Sequence, residues 1–306
     1  MPSPTSCSIR VPASSANLGP GFDSLGLALD LWMQVDIQRL DDPAGGVRVT
    51  ACDDLLGGGN LVVEAMQVTA ARLGRDLPAC RIAVASDIPV ARGLGSSASA
   101  IVAGIHAAGF VLDAPLDSAL IVDIGGEMEG HADNISASEL GGATVSFRAE
   151  HGWVAAVLAA ELPWEVVVLV PSAPAFTVEA RGILPPAVPI PDAAANIGRA
   201  AMLALALREG RGELLCEAMR DRLHQPYRAA IFPHLDPVIA AALAAGALGA
   251  SLSGAGPTIL AFAEPGDADA VANAMERAAA AHGFAGRASR LAVASGAMVE
   301  AHAAAR

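Results

Sequence analysis

Apolar and polar residues alternate along 6–12, 31–40 and 46–51, the period of a half-buried strand. From Asn60 to Leu73 the apolar residues recur at helical spacing and Gly74 follows as a stop, which predicts a helix. A strand at 79–85 then leads through a glycine-serine segment at 89–95 into a helix of 96–111, so rich in Ala, Ile and Val that most of its faces must be buried. Asp117 to Glu129 reads as another helix, and strands are predicted at 141–147, 153–159 and 164–170. The segment Ile183–Pro191 carries four prolines and should be extended surface chain. Helices at 193–208, 211–223 and 235–245 should precede a strand at 257–263, a helix at 266–282 and a last strand near 290–300. This mixed order, unlike a regular βαβ alternation, predicts an α+β fold with a boundary near residue 160, hence domains 1–160 and 161–306.

Composition narrows the chemistry. The 306 residues are 53% hydrophobic, enough for two packed cores. Residues 237–263 carry no charge, but Gly249, Ser251, Ser253, Gly254, Gly256 and Pro257 interrupt them, and neither half reaches the roughly 20 apolar residues of a membrane span. A buried helix, a tight loop and a strand are expected there instead. The first residues show no basic segment followed by an apolar run, so a cytoplasmic enzyme is expected. Cys7, Cys52, Cys80 and Cys216 are scattered without a Cys-x-x-Cys pair, which argues for reduced thiols and against zinc or a disulfide framework.

The formal charge is −13, and no basic run interleaved with aromatics occurs, so neither nucleic acid nor membrane is an expected partner. All 19 basic residues are arginines. Without lysine the chain has no Walker-type phosphate lysine, no protein-kinase strand lysine and no amine for Schiff-base chemistry. Any phosphate must be held by local backbone geometry.

Four small-residue or acidic motifs offer such geometry. The segment Pro89-Val90-Ala91-Arg92-Gly93-Leu94-Gly95-Ser96-Ser97-Ala98-Ser99 runs into a helix whose free N–H groups and dipole suit an anion, with Gly93 and Gly95 removing side chains from the approach. A polar turn at 12–26 contains Asn17 and Asp23, able to offer an amide and a carboxylate. Glu127-Met-Glu129-Gly-His131-Ala-Asp133-Asn134 brings carboxylates to a helix end, as a magnesium shell beside phosphate needs. Ser251-Leu-Ser-Gly-Ala-Gly-Pro-Thr258 lets backbone pass close to a ligand. Taken singly, these would be a capped helix start, an Asx-turn hairpin, a solvated acidic helix end and a tight turn.

Taken together they resemble the GHMP small-molecule kinases over nearly the whole chain. The matching runs are Pro-x-Ser-Ser-x-Asn-Leu-Gly-x-Gly-Phe-Asp, Gly-Leu-Gly-Ser-Ser-Ala, Glu-Gly-His-x-Asp-Asn and Ser-Gly-Ala-Gly-Pro-Thr. The first and third are similar to the branch that phosphorylates the side-chain hydroxyl of L-homoserine, in threonine biosynthesis. The resemblance implies a two-domain kinase, with a ribosomal-protein-like N-terminal domain and a ferredoxin-like C-terminal domain, in many relatives a homodimer. It implies that the 89–99 loop wraps the phosphates of ATP, that Asn60 lies near the adenine, and that Ser97 with Glu129 or Glu127 holds Mg2+. For the substrate it implies Asp23 on the amino group, Asn17, His131 and Asn134 on polar atoms, and Arg181 and Arg228 on the carboxylate. Asp133 serves as general base in some relatives, whereas here the resemblance favours Asn134 orienting the hydroxyl. Kinases of mevalonate, shikimate, a sugar or a cytidyl-erythritol share the superfamily motif, and an inactive nucleotide-binding protein would share the fold. Two arginines with one acid favour a zwitterionic amino acid.

Overall fold

The computed structural model describes residues 5–42, 45–52, 60–172 and 177–302. The chain opens with β1 (Ser6–Asn17) and β2 (Gly21–Arg39), a long antiparallel hairpin, followed by β3 (Val47–Cys52), α1 (Leu61–Arg72) and β4 (Cys80–Ser86). Next come α2 (Ser96–Val111), α3 (Ser118–Glu129), α4 (Asp133–Leu140), β5 (Ala143–Ala149) and β6 (Gly152–Ala159). The second half holds β7 (Glu165–Pro171), α5 (Thr177–Gly182), α6 (Ile190–Glu209), a 3-10 turn at Gly212–Leu214, α7 (Leu215–Ala218), α8 (Gln225–Arg228) and α9 (Leu235–Ala244). It finishes with β8 (Ala247–Leu252), β9 (Ile259–Ala263), α10 (Ala268–Ala281), β10 (Gly286–Leu291) and β11 (Met298–His302).

Two sheets result, and the fold is α+β as expected. The first runs β11-β1-β2-β4-β3, with β5 pairing Leu25–Leu27 of β2 and β6 pairing β5. The second runs β10-β7-β9-β8, all antiparallel. With helices between β7 and β8 and between β9 and β10, this is the βαββαβ order of a ferredoxin-like unit. Val167, Leu169, Val238, Val271 and Met275 form its core, while α1, α2 and the first sheet build the larger one around Met33, Met66, Ile82 and Ile105. Burial pushes the thiols of Cys7 and Cys80 up to about 11, and both are free. No helix among the described residues is long and apolar enough to cross a membrane.

Four expectations change. The turn expected across 12–26 is mostly strand, and only residues 18–20 turn the chain. Glycine and serine occur there because helix backbone lies against the hairpin: a Cβ on Gly26 would sit 2.2 Å from the carbonyl oxygen of Asp133. The helix expected at 211–223 stops at Ala218, because the Asp221 carboxylate accepts the N–H groups of Leu223, His224 and Gln225 and draws the backbone out of the helix. The last strand, expected at 290–300, is two strands in different sheets, with bridges Leu29–Val293 and Gly141–Ser295 carrying the chain between them. Finally, α4 carries no helical apolar period, yet its Ser136, Ser138 and Glu139 are buried within the fold.

Candidate active site

Three backbone turns meet where the two sheets face each other. The 16–20 turn ends β1, the 91–95 loop precedes α2, and the 253–257 turn joins β8 to β9, closing on a cis Gly256–Pro257 peptide. Ser14 donates its N–H to Leu94 O, Gly254 donates to Ala16 O, and Ser253 Oγ donates to Gly93 O at 2.6 Å. Packing this close leaves no room for side chains. A Cβ on Gly93 would lie 2.4 Å from Ser253 O, and one on Gly95 would lie 2.1 Å from Ser14 Oγ. Both glycines also sit at positive φ, +77° and +69°. They are thus required by the protein's own packing, a reason that stands beside the expected clearance for a ligand.

The loop leads into an N-terminus built for an anion. Gly95 is the N-cap of α2 and supplies no side-chain hydrogen bond, so the first-turn amides lack a cap. Gly93, Gly95, Ser96, Ser97 and Ala91 line a cavity of about 440 Å³ together with Leu61, Asn134 and the ionic groups below. The remaining loop residues do other work. Leu94, Ala98 and Ser99 are buried beneath it, and Ser99 Oγ donates to Pro12 O, so they do not face the ligand space as expected. Pro89 and Val90 lie outside the lining, and Arg92 donates to Pro171, Ser172 and Val90 carbonyls, tying the loop to the end of β7. Asn60 caps α1 by accepting from Val62 N at 3.1 Å, and its neighbour Leu61 reaches the cavity.

The ionic groups gather on the opposite wall. Asp23, held at φ +55°, forms a two-pronged ion pair with Arg181 at 2.7 and 3.2 Å. Arg228 is 1% exposed and donates to Ala180 O, Gly254 O and His224 Nδ1, with no carboxylate partner among the described residues. Burial, reinforced by the charge of Arg181, lowers its pKa to about 10. Both guanidinium groups lie over the Phe22 ring, at 5.6 and 5.7 Å from its centroid. Asn17 donates to Gly254 O and accepts from Asp23 N, so it knits the 16–20 and 253–257 turns together as well as lining the cavity.

At the start of α4, His131 Nδ1 lies 2.7 Å from Asp133 Oδ1, which also accepts from Asn134 N. Burial alone would lower the His131 pKa, but the Asp133 hydrogen bond and charge, with Glu129 and Asp23, raise it to about 9. Asn134 Oδ1 accepts from Ser14 Oγ at 3.0 Å. The Glu129 side chain is mostly buried, its Oε2 has no hydrogen-bond partner though it lies 3.9 Å from His131 Nδ1, and desolvation pushes its carboxyl up. A divalent cation fits this orphaned oxygen, with the Ser97 hydroxyl beside it. Asp23, His131 and Asp133 also bring ligand atoms within 4.8 Å of one another, but Arg181 and the His131–Asp133 bond already engage them. Glu127, the other expected metal ligand, instead pairs with Arg148 at 2.8 Å on the surface. The acidic helix has turned it away from the cavity.

Sequence reasoning did not single out Phe22, Ser14, Asp221 or His224. Phe22 lies within the first motif quoted above, and His224 stands one helical turn before Arg228, the signal that could have marked it.

Comparison with known proteins agrees with this geometry. The sequence profile of the GHMP kinases N terminal domain matches residues 60–142, and that of the GHMP kinases C terminal matches 203–281. The homoserine kinase of Deinococcus radiodurans is 42% identical over 83% of this chain and 83% of its own. That of Microchaete diplosiphon is 39% identical over 90% of both chains. The crystal structure of homoserine kinase from Cytophaga hutchinsonii superposes with a TM-score of 0.87 at 29% identity, covering 97% of this chain and 98% of that one.

The two glutamates separate in one titration. Glu129→Gln is expected to raise the magnesium concentration for half-maximal turnover by about tenfold or more, or about 1.4 kcal/mol, while Glu127→Gln leaves it unchanged. Equal effects of both variants would contradict the assignment.

Proposed function

We propose that this chain, which belongs to the GHMP kinase family and stands within it among the homoserine kinases, transfers the γ-phosphoryl group of ATP to the side-chain hydroxyl of L-homoserine, giving O-phospho-L-homoserine and ADP. The single observation that carries the substrate reading is the Asp23–Arg181 pair beside buried, carboxylate-free Arg228. A zwitterion complements this wall charge for charge. Its carboxylate bridges Arg181 and Arg228, and its ammonium takes over Asp23.

The residue roles follow from what each side chain still has to offer. The uncapped amides of α2 and the hydroxyls of Ser96 and Ser97 cradle the phosphates without a lysine. Glu129 and Ser97 hold Mg2+, which neutralises phosphate charge when bound. Asp133 Oδ1 already accepts two hydrogen bonds, one from the His131 ring that offsets its charge, which makes it a poor base. Asn134 uses its oxygen on Ser14 and keeps its amide N–H groups for the substrate hydroxyl. That hydroxyl oxygen bonds to phosphorus as the bond to the β-phosphate oxygen breaks, and its proton leaves with the phosphoryl oxygens. Catalysis is positioning with charge neutralisation, as a loose phosphoryl-transfer transition state requires. The two-domain division at residue 160 is part of this reading, with residues 292–302 returned to the first domain because β11 pairs with β1.

An ADP-release assay offering homoserine, serine, threonine, mevalonate and shikimate tests the reading. Homoserine should give the highest kcat/KM by at least about tenfold; a higher value for mevalonate or shikimate would contradict it. Asn134→Ala, at saturating substrates, should lower kcat by about tenfold or more, about 1.4 kcal/mol of barrier. Unchanged turnover would remove Asn134 from the reaction.

A further inference from the structure

Arg228 is an unusual cation: wholly buried, without a carboxylate partner among the described residues, and held by two carbonyl oxygens and one imidazole nitrogen. Carbonyls accept from a range of directions, so Ala180 O and Gly254 O alone leave the guanidinium free to tilt. The third acceptor, His224 Nδ1 at 2.9 Å from one terminal nitrogen, lies on the same chain one turn earlier. His224 is itself fully buried, and its other nitrogen lies 2.8 Å from Gly19 O. A carbonyl only accepts, so Nε2 carries the hydrogen and Nδ1 presents a lone pair to Arg228. The ring face stacks on Phe22 at 5.3 Å, and Phe22 in turn underlies both guanidinium groups. Asp221 fixes the backbone beneath by accepting from His224 N and Gln225 N.

We propose that His224 is a specificity-determining positioning residue: its Nδ1 lone pair aims Arg228 into the cavity, so that this guanidinium and that of Arg181 are spaced for a single carboxylate. The neutral ring is essential, because a second N–H at Nδ1 would face a guanidinium with no lone pair to accept it. Burial and the charge of Arg228 both lower the His224 pKa, in the direction the geometry needs. His224 lies outside the cavity lining and acts through Arg228. This inference rests on the reading that Arg228 binds the substrate carboxylate.

Two isosteric substitutions divide the ring's two roles. Asparagine places an acceptor near the Nδ1 position, and glutamine places a donor near the Nε2 position. In steady-state assays His224→Asn should keep the homoserine KM within about threefold of the parent, whereas His224→Gln should raise it about tenfold to a hundredfold, the scale of one hydrogen bond to a charged group. The KM for ATP should stay within about twofold in both. If the imidazole served only to pin the Gly19 turn, the order would reverse; that order, or equal KM values, would overturn the proposal. Arg228→Ala is the control on the underlying reading. A raised homoserine KM in Arg228→Ala without a split between the His224 variants overturns the role of His224 alone, whereas an unchanged KM in Arg228→Ala overturns both. Should either His224 variant fail to fold, 15N spectra of the parent protein's imidazoles decide. A neutral His224 ring protonated at Nε2 is expected, and a ring protonated at Nδ1 would overturn the proposal.

Discussion

One carbonyl oxygen organises the site. Gly254 O accepts from Asn17 Nδ2 at 2.9 Å and from Arg228 at 3.1 Å, while the N–H of the same residue donates to Ala16 O. The hairpin of the first sheet, the β8–β9 turn of the second and the buried Arg228 are therefore referenced to a single peptide unit. Ser253, next to it, extends the tie to the phosphate loop through Gly93 O and to Ser15. Because the bonds to Ala16, Asn17, Ser15 and Gly93 join segments 160 or more residues apart, the two halves of the chain are held in register at the cavity. The glycines at 93, 95 and 256 follow from that requirement, since a Cβ at any of them would clash, and Gly254 shares their positive φ.

Electrostatics then divides the cavity. A protein of net charge −13 attracts no polyanion as a whole, so the proposed triphosphate site relies on groups that act at short range, where net charge matters little: the uncapped N-terminus of α2 and the Glu129 carboxylate with its proposed metal. On the opposite wall the charges are matched in pairs: Arg181 with Asp23, and His131 with Asp133. Arg228 alone is held by neutral acceptors, which leaves its charge uncompensated until a carboxylate arrives. The apo wall is thus a template of the zwitterion it binds.

Much of this was legible in the sequence, and the failures have physical causes. Periodicity located α1, α2, α3 and α10, because their apolar faces meet large cores. It missed α4, whose serines are buried against other polar groups, such as Ser136 against Thr144 and Ser138 against Ser14. It read Gly26 and its neighbours as a turn, because the absence of a side chain looks the same whether backbone bends or another backbone presses against it. The absence of lysine directed attention to main-chain amides, and the uncapped start of α2 is where the structure offers them. The distinction between Glu127 and Glu129 could not be made from spacing, because two residues apart on a helix is half a turn and only the packing of α3 decides which one faces inward. His224 stayed hidden because its Nε2 partner, Gly19 O, is distant in sequence, and Asp221 because it binds the backbone N–H groups of the next few residues, which any turn offers.

The most direct test is a crystal structure of the protein with L-homoserine and a non-hydrolysable ATP analogue. The account predicts the homoserine carboxylate between Arg181 and Arg228, its ammonium on Asp23 with the Asp23–Arg181 pair opened, and the triphosphate on the amides of Gly93 to Ser97. A homoserine carboxylate bound away from Arg228, with Asp23 still paired to Arg181, would contradict it.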